Sequence, residues 1–113
     1  MNLTNPNNYR AIRYADVLLL AAEAHQQLGN DTKALSYLNT VRTRAFESSA
    51  NNLSVTGDNL RKAIQHERRV ELAGEGHRFF DLTRMGVLDE YCRFLHRDSD
   101  GQRQAEDYFW PIP

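Results

Sequence analysis

The densest group of ionisable side chains lies in residues 64–84, where charged residues are mixed with apolar ones. Three glutamates recur there every four residues, at Glu67, Glu71 and Glu75. On a helix this spacing places the carboxylates in one row, where they repel each other unless each has a cationic or N–H partner. The pattern therefore predicts either a pair of catalytic carboxylates or a polar network that joins helices.

Glu67 and Glu71 have the spacing that a general acid–base pair requires. Arginines adjoin them in the sequence, however, and a carboxylate paired with a guanidinium is held ionised, which suits a structural role better than proton transfer. A pocket that brought both glutamates and His77 together without an arginine would instead favour an enzyme. We predict a non-enzymatic structural network, in which Glu67 and Glu71 pair with arginines of neighbouring helices. Its predicted members are Arg42, Arg44, Glu67, Arg68, Glu71, Arg78 and Asp81.

The remaining residues of chemical interest do not form a recognisable metal or nucleophile motif. Val70 stands where the H-E-x-x-H zinc motif that would start at His66 needs its second histidine. Residues 98–101 are too short for a calcium loop. Cys92, the single cysteine, is expected to be a small core residue. We therefore predict no metal and no other cofactor.

Aromatic side chains near the end of the chain allow two interpretations. They could stack on a ligand such as a sugar ring or pack against the helices, and packing is the favoured interpretation. These residues are Tyr91, Tyr108, Phe109 and Trp110. Phe79 and Phe80 are expected to lie in the core.

Length and charge set limits on the class of protein. A chain of 113 residues is sufficient for a single domain with one modest core. Its 15 acidic and 14 basic residues give a formal net charge of -1, which argues against a nucleic-acid-binding protein. No apolar run reaches the ~18 residues of a membrane span, and the first residues lack the pattern of an export signal. We expect either a cytoplasmic protein or part of a longer chain.

Apolar periodicity predicts an all-α fold. A first helix over residues 12–28 is apolar around most of its surface and should be buried on more than one side. Gly29 ends this helix, and a second helix follows to about Ala45. Ala22 and Ala34 would let these two helices pack closely as an antiparallel hairpin, which resembles one tetratricopeptide repeat.

The second half of the chain reads as a loop followed by shorter helices. Residues 48–59 are small and polar and predict a loop, with Thr56 or Asp58 as a cap for a third helix over residues 60–73. Residues 78–84 predict a further helical turn. A short amphipathic helix after Gly86 and an irregular strip at the C-terminal end complete the expected fold.

Four blocks of sequence together resemble the C-terminal part of the SusD/RagB family. They are RYADVLLLAAEA at residues 13–24, ALSYLNTVRTRA at 34–45, LRKAIQHERRVELAGEGHRFFDLTR at 60–84 and WPIP at 110–113. The blocks occur in the order that the family shows. The third block is the most specific of the four.

The resemblance implies an outer-membrane lipoprotein of Gram-negative bacteria that binds glycans or other nutrients at the cell surface. It implies a helical scaffold of tetratricopeptide-like hairpins and a SusC-like TonB-dependent transporter as partner. We therefore expect residues 1–113 to be a single domain, a fragment of a larger SusD-like protein, without enzymatic activity. No ligand-binding residue can be assigned by the resemblance. The alternative is a free-standing tetratricopeptide-like adaptor that binds a protein segment.

Overall fold

The computed structural model describes residues 6–7, 9–88 and 90, and these residues form helices and connecting turns without a β-strand. The helices are α1 (Tyr14–Gln27), α2 (Asp31–Phe46), α3 (Gly57–Glu71) and α4 (Arg78–Arg84), with a short 3-10 helix at Ser49–Asn51. The predicted all-α class is confirmed. The described residues divide into two compact units between Glu75 and Gly76.

Helices α1 and α2 form the predicted antiparallel hairpin. Gly29 adopts a positive φ of 77°, a conformation that glycine reaches without strain, and the amide of Asn30 donates to the carbonyl of His25 (2.8 Å) to close the end of α1. Ala22 and Ala34 are both fully buried where the helices meet. Their small side chains allow the close backbone approach that the sequence indicates.

Helix α3 lies against both helices of this hairpin and completes the core of the first unit. Fully burying a leucine or isoleucine is worth about 1.5–3 kcal/mol, so this cluster is the main source of stability. Its most buried members are Leu19, Ala22, Ala34, Leu38, Val41, Leu60 and Ile64.

The start of α3 differs from the prediction. The helix begins at Gly57, three residues before Leu60, and the side chain of Thr56 makes no capping hydrogen bond. Instead the carboxylate of Asp31, the first residue of α2, accepts a hydrogen bond from the Gly57 amide (2.8 Å). An anion at a helix N-terminus is stabilised by the unpaired N–H groups there. A long-range contact, which sequence spacing does not reveal, therefore supplies this cap.

The loop between α2 and α3 is held against α2 by side chains of that helix. The side-chain amide of Asn39 donates through Nδ2 to the carbonyl of Leu53 (3.0 Å), and its Oδ1 accepts a hydrogen bond from the Leu53 N–H (2.9 Å). Thr43 donates to the side-chain oxygen of Asn52 (3.0 Å). The two Asn39 contacts satisfy backbone groups of Leu53 that a helix or sheet would otherwise pair.

Two expectations about apolar residues are wrong for the described chain. They are that the first helix is buried on more than one side and that Phe79 and Phe80 lie in the core. Val17 and Leu20 are exposed, because α2 and α3 both pack on the opposite face of α1. Phe79 and Phe80 of α4 are 45% and 68% exposed and contact each other edge to face, with ring centroids 5.7 Å apart. The buried face of α4 carries Asp81 and Leu82 instead.

Several predictions fall outside the described residues. They concern residues 89 and 91–95 of the amphipathic helix after Gly86, Cys92, the turn at 98–101 and the aromatic residues Tyr91, Tyr108, Phe109 and Trp110. Within the described part of the chain, no helix has the length and apolar character that crossing a membrane requires.

Candidate functional site

A set of ion pairs joins the three helices of the first unit, and we call it the ion-pair network. It connects the start of α1, the second half of α2 and the second half of α3. Its members are Arg13, Asp16, Arg42, Arg44, Glu67, Arg68, Glu71 and Glu75.

Arg42 of α2 and Glu67 of α3 form one pair, with 2.6 Å between Nη1 and Oε2. The same guanidinium donates through Nε to the carbonyl of Asn51 (2.9 Å) and lies 5.2 Å from the ring centroid of Phe46. A guanidinium has five N–H donors in a planar fork, which is why one arginine can serve a carboxylate and a carbonyl together. Arg42 thus connects α3 to the α2–α3 loop as well as to α2.

Arg68 of α3 and Asp16 of α1 form the most buried pair, with 2.8 Å between Nη1 and Oδ1. Their side chains are only 3% and 6% exposed. Removing two charges from water is costly, and removing one partner of such a pair leaves an uncompensated charge in the protein interior. The pair therefore requires that α1 and α3 keep their relative position.

Glu71, the last residue of α3, lies between two arginines. Arg44 of α2 donates to its Oε1 through Nη2. Arg13, which precedes α1, donates to the same oxygen through Nη1 (2.9 Å) and to the Glu71 backbone carbonyl through Nη2 (2.7 Å). Because a carboxylate has several lone pairs, one glutamate can accept from both guanidinium groups.

Arg13 also reaches Glu75, beyond the end of α3. Its Nε lies 2.9 Å and 3.0 Å from the two carboxylate oxygens of Glu75, and its Nη2 lies 2.8 Å from Oε1. The hydrogen bonds that Arg13 donates to Glu75 and then to Glu71 raise the pKa of Arg13 further above its ordinary value. The guanidinium is therefore charged at every pH at which the protein is folded.

The structure brings together five of the seven residues that we predicted for a polar network. Arg42, Arg44, Glu67, Arg68 and Glu71 all lie in the first unit and take part in the contacts above. The other two predicted residues belong to α4 in the second unit, where the buried Asp81 pairs with Arg84 (3.0 Å).

The sequence prediction missed Arg13 and Asp16, and it did not include Glu75 among the members of the network. A signal for Asp16 was present, because it precedes Leu19 by three residues and so shares the buried face of α1. A carboxylate on such a face needs a cationic partner. Arg13 carried no comparable signal, because it lies before the helix in extended backbone.

The arrangement offers little for acid–base chemistry. Both Glu67 and Glu71 have arginine partners, so the arginine-free pocket that would favour an enzyme does not form around them. In the described part of the chain, no three histidine, cysteine or acidic side chains come together as metal ligands. The geometry is that of charge pairs that join helices.

Comparison with known proteins gives the family. The whole chain, residues 1–113, matches the SusD family. This chain belongs to the SusD family. The resemblance that the four sequence blocks indicate is thereby confirmed.

Three SusD-like proteins of Formosa agariphila are similar to the chain. SusD-like protein P25 is 44% identical over 86 residues, which cover 73% of this chain and 16% of that protein. SusD-like protein P2 is 40% identical over 114 residues, covering 94% of this chain and 23% of the relative. SusD-like protein P38 is 39% identical over 84 residues, covering 68% and 17%. The chain thus spans about a fifth of the length of these relatives. No solved structure matches it.

The ion-pair network of this SusD-family chain is built from the same blocks that carry the family resemblance. Arg13 and Asp16 lie in the block at residues 13–24, and the two arginines of α2 lie in the block at 34–45. The glutamates and Arg68 lie in the block at 60–84. All eight residues of the ion-pair network thus lie within three of the four blocks that resemble the family.

Proposed function

We propose that this chain is the scaffold portion of a SusD-like protein that binds a glycan or another nutrient at the cell surface. In this proposal the protein acts without catalysis, together with a SusC-like TonB-dependent transporter in the outer membrane. The observation that carries the proposal is the match to the SusD family over residues 1–113.

The geometry of the first unit supports a scaffold role. Three helices share one apolar core, and the ion-pair network joins the same three helices along one side. The carboxylates that could have served a reaction are paired with arginines instead. Since the chain spans 16–23% of its relatives, we place the main ligand contacts in the parts of such proteins that it does not cover.

Purification of the protein from its own cells tests this proposal. An affinity tag is placed on the chromosomal gene, membranes are solubilised in mild detergent, and co-purifying proteins are identified by mass spectrometry. We expect a TonB-dependent transporter in amounts comparable to the tagged protein. The same tag on an unrelated outer-membrane lipoprotein is the control. Recovery from the soluble fraction without a transporter would count against the proposal.

A second candidate function is a tetratricopeptide-like module that binds a protein segment. The exposed side chains of Val17 and Leu20 on α1 favour it, because an apolar helix face is a common docking surface for another helix. The same purification separates the two candidates. An adaptor would bring down a soluble protein, and a lipoprotein signal upstream in the same reading frame would exclude it.

A further inference from the structure

Arg13 holds the chain at the point where it leaves α3. Its guanidinium binds the Glu71 carboxylate (2.9 Å), the Glu71 carbonyl (2.7 Å) and the Glu75 carboxylate (2.9 Å). The carbonyl is one of the last four of the helix, which lack partners inside the helix. Arg13 therefore both caps α3 and fixes the position of Glu75.

Two glycines with positive φ flank Glu75. Gly74 and Gly76 adopt φ values of 77° and 82°, which other residues reach only with strain, and neither has an atom within 4 Å of the position of an added Cβ. The Glu75 amide donates to the carbonyl of Leu72 (3.1 Å), which forms one local turn. The boundary between the two compact units falls directly after Glu75.

We propose that Arg13 is a latch on a glycine hinge formed by residues 74–76. With the latch closed, Arg13 holds Glu75 beside the end of α3. With the latch open, residues 72–77 change conformation while the three helices stay packed on their shared core. The latch does not depend on the proposed transport function.

The difference in burial between two ion pairs makes the latch sensitive to salt. Arg13 and Glu75 have side chains that are 29% and 30% exposed, whereas the Asp16–Arg68 pair is almost fully buried. The screening length of salt falls from about 10 Å at 0.1 M to about 3 Å at 1 M, and screening acts mainly on exposed charges. High salt should therefore open the latch and leave the buried pair intact.

Hydrogen–deuterium exchange of the 113-residue chain, read by mass spectrometry, tests the latch. Arg13→Gln removes the guanidinium, and Glu75→Gln removes one carboxylate while keeping its size and its ability to accept hydrogen bonds. Asp58→Asn is the matched control, because it removes an exposed ion pair at the other end of α3. A partly exposed pair of this kind is expected to change local opening roughly five-fold.

We expect amides in residues 72–77 to exchange roughly five-fold faster in Arg13→Gln and Glu75→Gln, with unchanged exchange in the middle of α1 and α2. Asp58→Asn should leave residues 72–77 at the wild-type rate. Raising NaCl to about 1 M should bring the wild-type rate at 72–77 to that of Glu75→Gln, without further change in that variant. Three results would each overturn the latch. One is an equal exchange rate at residues 72–77 in the wild type and all variants, and another is faster exchange of every helix together in both latch variants. The third is a wild-type exchange rate at 72–77 that does not depend on salt.

Discussion

Replacing Arg68 by methionine should destabilise the protein strongly, because it leaves the carboxylate of Asp16 buried without its cationic partner. The two side chains are 3% and 6% exposed and their charged atoms lie 2.8 Å apart, so water cannot replace the missing guanidinium. Methionine keeps most of the apolar length of the arginine stem, which limits the loss of packing. The change therefore removes the charge of Arg68 with little loss of packing.

Removing one partner of a buried ion pair costs about 3–5 kcal/mol, a large part of the 5–15 kcal/mol by which a domain is stable. For a domain of this size, 3 kcal/mol corresponds to a decrease in Tm of roughly 12–24 °C. Urea unfolding followed by circular dichroism at 222 nm measures the free energy of unfolding directly. Arg69→Met is the control, since Arg69 is the next residue of α3 and is exposed. It should change the free energy by less than about 0.5 kcal/mol.

A second substitution separates the lost charge pair from lost packing. Adding Asp16→Leu to Arg68→Met removes the uncompensated carboxylate, and replacing both members of a buried pair by apolar residues is often neutral. The double variant should therefore recover more than half of the loss. The reasoning is refuted if Arg68→Met costs less than about 1 kcal/mol, or if the double variant is less stable than the single one.

Three further changes test the core, the loop and the helix N-terminus. Ala22→Leu should cost about 1–3 kcal/mol by overpacking the α1–α2 contact, whereas the exposed Ala24→Leu should be close to neutral in the same urea assay; equal effects would contradict the packing. Asn39→Ala should lower the free energy of unfolding by about 1–3 kcal/mol, because the N–H and carbonyl of Leu53 lose their hydrogen-bond partner. A variant as stable as the wild type would show that water replaces the Asn39 side chain. The hydrogen bond that Arg61 donates lowers the pKa of Asp58 in the folded protein. The ionised Asp58 therefore stabilises the fold at pH values above its pKa in the unfolded chain, and this contribution is lost as the pH falls through its lower pKa in the folded protein. Thermal melts between about pH 2 and 6 should show a slightly weaker acid dependence in Asp58→Asn, and identical profiles would refute this assignment.

The sequence predicted the helices well because local signals determine them. The hairpin of α1 and α2 follows from apolar periodicity and from Gly29, and the buried positions of Ala22 and Ala34 follow from the same periodicity. The start of α3 was placed too late, because its anionic partner is Asp31, which is 26 residues away. Only the folded chain brings these two positions together.

Charged partners were harder to predict than charged positions. The row of glutamates indicated that arginines must approach α3, and Arg42 and Arg44 were named because they lie on another predicted helix. Arg13 was missed because a residue in extended backbone before a helix has no fixed face in the sequence pattern. Phe79 and Phe80 were wrongly placed in the core because hydrophobicity alone does not say which face of a seven-residue helix is buried.

The order of charges along α3 determines how this helix is oriented against the hairpin. Glu67 and Arg68 are consecutive, so they lie about 100° apart around the helix axis. Glu67 reaches Arg42 on α2, while Arg68 reaches Asp16 on α1. Rotating α3 by one residue would bury at least one of these charges without its partner, whereas the apolar contacts of Leu60 and Ile64 tolerate small shifts. The apolar core holds the three helices together, and we infer that the two adjacent charges select one rotation of α3 among those the core would allow.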